Sequence, residues 1–108
     1  MARVLILLAD LDEAVEYLDE ALRLDPGFHV CRLERAALLL RRGRLAEALA
    51  DYDWMRKIAP NDPGILTGWG DVKAAMGERN EARAAFVAAL GLLRDPAPIV
   101  DRLQRLAV

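Results

Sequence analysis

His29 and Cys31 are the only histidine and the only cysteine in the chain, and they stand one residue apart. They are its only soft metal ligands, whereas a structural zinc site takes four nitrogen or sulfur ligands and a catalytic site three. A single histidine would also have to serve any Ser–His–Asp or Cys–His arrangement, and no such set can be assembled. Gly64, Gly68 and Gly70 lack the lysine and the strand-to-helix setting of a phosphate loop. Asp10, Asp12, Glu13, Asp51 and Asp53 fall where helix caps and solvated helix faces account for them. These residues predict no catalysis, no metal and no cofactor.

The charge balance narrows the partners. Lys and Arg total 15 against 17 Asp and Glu, for a formal net charge of −2. The arginines are scattered among acidic neighbours, so there is neither a basic stripe nor the stacking aromatics that a nucleic acid requires. Hydrophobic residues make up 55% and charged residues 30%, which argues for a packed core and against disorder. The apolar run Val4 to Ala9 is far shorter than the ~20 residues that span a bilayer. Arg3 precedes it, but Asp10, Asp12 and Glu13 follow at once, unlike a secretory leader. No membrane association is expected, and one free thiol fits a reducing, cytoplasmic setting.

What remains is organisation. A shift of 34 residues brings Ala14, Ala48 and Ala82 into register, each preceded by glutamate (Glu13, Glu47, Glu81). Leu18, Tyr52 and Phe86 align, then Ala21, Met55 and Ala89, then Leu24, Ile58 and Leu92. Pro26 matches Pro60, Gly43 matches Gly77, and Ala2, Ala36 and Gly70 form a column of small residues. The small–bulky–small set recurs at spacings of four and three, which puts it on one face of a helix. Small side chains let a second helix approach, and the bulky one fills the space between.

The punctuation predicts helix pairs. Gly43 and Gly77 suit the left-handed residue that ends a helix. Pro26 and Pro60 stop the helices before them. Asp62–Pro63 and Asp95–Pro96 combine an N-cap with a first-turn proline, and Asp10 with Glu13 resembles a capping box. The predicted helices cover about 2–8, 11–24, 29–42, 45–58, 63–76, 79–92 and 97–106, an all-α chain of one domain.

In these columns the sequence resembles the tetratricopeptide repeat family, whose 34-residue unit is two antiparallel helices with small–bulky–small packing and a closing proline. The segments DEAVEYLDEALRLDP, AEALADYDWMRKIAP and NEARAAFVAALGLLR carry the likeness. The first helices depart further: the family's Trp, Leu-Gly and Tyr columns hold Arg32, Arg35-Ala36 and Leu39, then Leu66, Trp69-Gly70 and Lys73. The resemblance implies a right-handed superhelical solenoid of about three units, near 1–28, 29–62 and 63–96, with a capping helix at about 97–106. It also implies a scaffold or adaptor that binds a peptide or partner helix on the concave side.

By that resemblance the groove holds Val30, Leu33, Glu34, Ala37 and Arg41, then Gly64, Thr67, Gly68 and Asp71, with Arg3 at the start. One subclass of the family clamps the terminal carboxylate of chaperone peptides with Lys, Arg and Asn. Glu34, Gly64 and Gly68 stand in the corresponding places, so no such clamp is expected. Two further contacts are candidates. Met1 aligns with Arg35, which leaves the first helix short and apolar on nearly every face. Val4, Leu5 and Leu8 would then meet either an upstream unit of a longer array or a second copy of the chain or another subunit. Trp54, beside Met55, is the other candidate, either as an interface residue or folded over the adjacent turn. A self-assembly module, or a non-catalytic part of a larger enzyme, is the alternative to a peptide adaptor.

Overall fold

The computed structural model describes residues 2–107, with side chains for residues 10–106. Among the described residues there are six helices and no strand: α1 (Ala2–Leu24), α2 (His29–Arg42), α3 (Leu45–Ile58), α4 (Pro63–Ala75), α5 (Arg79–Leu90) and α6 (Ala97–Ala107). None of them is long and apolar enough to cross a membrane.

The expected break near residue 9 is absent. One helix runs Ala2–Leu24 where two were predicted, so Asp10 and Glu13 lie inside a helix and do not cap one. The reason is visible in the repeat columns. Gly43 and Gly77 reverse the chain in the left-handed region, at φ 86° and 84°, and a side chain there would be strained. The aligned position in the first unit is Ala9, which has no such freedom, and no proline follows to interrupt the amide ladder.

The other boundaries follow the predicted signals closely. After Gly43, its own amide donates to the Leu40 carbonyl and that of Arg44 donates to Leu39, closing the end of α2. The Asp62 carboxylate accepts from the Gly64 and Ile65 amides at 2.8 and 3.2 Å and so caps α4. Asp95 accepts from the Ala97 amide at 3.0 Å before α6. We expect Asp62→Ala to lower the unfolding free energy by about 1 kcal/mol, measured as a shift in the urea midpoint; an unchanged midpoint would deny the cap its role.

The chain divides into two compact units, Met1–Asp51 and Tyr52–Val108. In the first, α1 packs on α2, and Val15, Leu22, Ala36, Leu39 and Ala48 are buried. In the second, α5 packs against both α4 and α6. Its core joins Leu66, Ala82, Phe86, Ala89, Ile99 and Leu106. Met55, at a column where other repeats carry a small residue, is buried too.

Gly70, of the small column, meets Phe86 of the bulky one, and Gly68, expected in the groove, lies against Tyr52. A Cβ placed on Gly68 would lie 2.4 Å from the Tyr52 ring, and one on Gly70 would lie 2.5 Å from the Phe86 ring. Both rings are buried, so the helices touch through glycine because nothing larger fits. The column formed by Leu24, Ile58 and Leu92 behaves differently, being exposed at or just beyond the ends of its helices.

Candidate functional site

The first unit presents one consistent face. Val30, Leu33, Glu34, Ala37 and Arg41 recur at helical spacing along α2, and all five are exposed. Val30 is 60% and Leu33 39% accessible, so neither is consumed by packing against a neighbouring helix. The face is an apolar strip flanked by one carboxylate and one guanidinium.

Beneath it lies a network that the sequence did not reveal. Asp51 was expected on a solvated face; it is only 3% exposed. Its carboxylate accepts from Arg35 Nε at 2.9 Å, Arg35 Nη2 at 2.6 Å and Arg32 Nη1 at 3.3 Å. Arg35 Nη1 also donates to Asp19 at 2.9 Å, and Arg32 Nη2 donates to the Pro26 carbonyl at 2.9 Å. The hydrogen bond to Asp51, foremost, raises the pKa of the Arg35 guanidinium. The network fixes α2 against α1 and against the first turns of α3, and so orients the exposed α2 face. Its signal was in the sequence: Arg32 and Arg35 occupy columns that the family fills with buried apolar residues, and a cation there needs a buried anion.

In the second unit the predicted residues divide. Thr67 is half-buried, and its hydroxyl donates to the Pro63 carbonyl at 2.7 Å. Asp71 is held by Arg102, whose Nε and Nη2 donate to its two oxygens at 2.7 and 3.1 Å; this fork raises the Arg102 pKa. Gly64 is exposed, whereas Gly68 is buried beneath Tyr52 and lines no surface. Trp54 is half-buried.

Trp69 organises a further cluster. Its Nε1 donates to Asp53 at 2.8 Å, and the Arg56 guanidinium lies 4.2 Å and the Lys73 ammonium 5.2 Å from its ring centroid. These are cation–π distances. Lys73 also pairs with Glu78 and Glu81 at 2.8 and 3.0 Å, so the ring and its cations are mutually occupied.

The side chains of Arg3, Val4, Leu5 and Leu8 lie outside the described residues. His29 is exposed and Cys31 half-buried. Among the described residues no three His, Cys, Asp or Glu side chains are grouped to hold a metal ion.

Residues 5–50 match the tetratricopeptide repeat family model. No curated protein sequence matches the chain. Among solved structures, the first tetratricopeptide domain of Spaghetti (RPAP3), bound to the HSP90 peptide SRMEEVD, superposes with a TM-score of 0.83 at 19% identity, covering 92% of this chain and 79% of that one. The NMR structure of the first such domain of human RPAP3 gives 0.82 at 19%, covering 92% and 78%. The MamA RS-1 ArsTM double mutant gives 0.83 at 22%, covering 98% of this chain and 60% of that one. The chain is therefore an all-α protein of tetratricopeptide fold. The family model matches residues 5–50, which is part of the chain, and the solved structures add a likeness of fold.

Proposed function

We propose that the chain is a protein-interaction module that takes a peptide or partner helix along the exposed face of α2. The observation that carries this reading is the exposure of Val30 and Leu33 in line with Glu34, Ala37 and Arg41. An apolar strip held on a pinned helix is a ready seat for an extended or helical segment. Thr67 and Asp71, in the second unit, are further residues that the family pattern marks for partner contact.

The ligand differs from a chaperone tail such as the SRMEEVD held by one fold neighbour. Glu34 would repel a terminal carboxylate, and position 68 has no room for the cation that a clamp would place there. A segment with apolar anchors at helical spacing fits better, with a basic group near Glu34 and an acidic one near Arg41. The scaffold itself performs no chemistry, and the reducing cytoplasm is the setting we assign it.

Replacing Leu33 and Ala37 together by glutamate should abolish partner capture while leaving the fold intact, since both are exposed. Affinity capture of the parent and the double variant, with circular dichroism as a folding control, reads this. An unchanged set of partners would refute the α2 seat.

A further inference from the structure

We propose that the cleft among α4, α5 and α6 of one copy receives the acidic outer face of α1 from a second copy, head to tail. The cleft has a volume of about 290 Å³ and is lined by Asp71, Ala74, Arg79, Phe86, Arg102, Arg105 and Leu106. That is the small end of the range for small-molecule sites, and it suits projecting side chains better than a whole ligand. Three guanidiniums and one carboxylate rim an apolar floor. Arg102 is held in place by Asp71, with a further bond from its Nη1 to the Pro98 carbonyl at 3.2 Å. Two of its five N–H donors remain for a guest. Arg105, whose side chain is 76% exposed, pairs with Asp101 only through an open surface contact.

The chain carries the complementary surface. Glu13, Glu16, Tyr17 and Glu20 lie at helical spacing on one face of α1 and line a shallow surface depression together. Tyr17 is 71% exposed, unusually so for an aromatic ring. Glu13 and Glu16, with Glu20 held by Arg23 on the same helix, surround a projecting ring and oppose in sign the guanidiniums around the apolar floor. Each face repels its own copy, so the pairing is heterologous: it leaves one free face of each kind and can extend to rings or open chains. Charge complementarity of this type steers encounter and fixes register. The contact leaves the Val30–Leu33 face of α2 untouched and shares only Asp71 with the residues proposed for peptide binding; the L33E/A37E double variant, which alters that face and not the cleft, tells the two apart.

Sedimentation velocity of the full chain tests the proposal. The parent should gain mass with concentration at low salt and return to monomer in about 1 M NaCl, where the Debye length is ~3 Å. An acid-face variant, E13K/E16K/E20K, and a cleft variant, R79E/R105E, should each weaken association by about tenfold or more and sediment as monomers. Mixed in equal amounts they should associate again, because each still carries the face the other lost. The single variant R105E, at a largely exposed arginine, gives the same readout with little risk to folding. A parent that stays monomeric at every concentration, or variants that fail to pair when mixed, would overturn the proposal. So would an isolated peptide of residues 10–24 binding the cleft of a strictly monomeric parent, since a foreign acidic segment would then be the occupant.

Discussion

Replacing Asp51 by alanine should lower the unfolding free energy by about 3 kcal/mol or more, the cost of leaving a buried pair with one partner missing. The substitution removes three hydrogen bonds at once and strands two guanidiniums whose side chains are only 14% and 21% exposed. Arg35 retains Asp19, and Arg32 retains the Pro26 carbonyl, which keeps the loss from running higher. Urea is the denaturant to use, because guanidinium salts would screen the ion pairs being measured. Asp51→Asn keeps one acceptor oxygen and the shape, so it should cost roughly half as much. Removing both ends, as in D51A/R35A, should cost less than the two single losses added together, because residues in one network couple. A D51A variant within ~0.5 kcal/mol of the parent, the range of an ordinary surface change, would mean the network orders nothing.

The pH dependence of this network follows from the sign of the Arg35 shift. Its pKa is raised, first by the hydrogen bond to Asp51 and then by the other contacts with Asp51 and Asp19. A raised cation contributes its full stabilisation below its unfolded pKa and loses it only as pH climbs through the folded value. For arginine both values lie far above neutrality, so Arg35 contributes no pH dependence in the neutral range.

That network also marks where the sequence stopped being legible. The 34-residue register predicted five helices nearly to the residue, because glycine, proline and the Asp-Pro caps act locally and each has one conformational meaning. The single helix Ala2–Leu24 escaped the reading because the glycine column, not the apparent cap at Asp10, decides whether the chain turns. Asp51 escaped it because its burial depends on arginines 16 and 19 residues away. Asp71 owes its fixed place to Arg102, 31 residues on. Local pattern shows which face of a helix is apolar; it does not show which charged side chains the packing will enclose together. The exposed α2 face was legible for the converse reason, since five residues on one helix share a face by periodicity alone.

The second large effect lies where the repeat's small and bulky columns meet in the other unit, and it carries a reversal of sign. Phe86 is 1% exposed and joins Leu66 of α4 with Ile99 and Leu106 of α6 in one cluster, so Phe86→Ala should cost about 3–5 kcal/mol through lost burial and the cavity left behind. Its ring also forbids a side chain at position 70, where a Cβ would sit 2.5 and 2.8 Å from ring carbons. Gly70→Ala alone should therefore cost about 1–3 kcal/mol by overpacking, offset in part by alanine's gain of about 1 kcal/mol in helix propensity. With Phe86 already removed the clash is gone, and the same Gly70→Ala change should stabilise by up to that 1 kcal/mol. Urea unfolding of the parent, both single variants and the double variant measures the coupling, with Phe86→Leu replacing Phe86→Ala if the latter does not fold. A coupling near zero, or a Gly70→Ala change that stabilises the parent, would show that the glycine is not there to admit the ring.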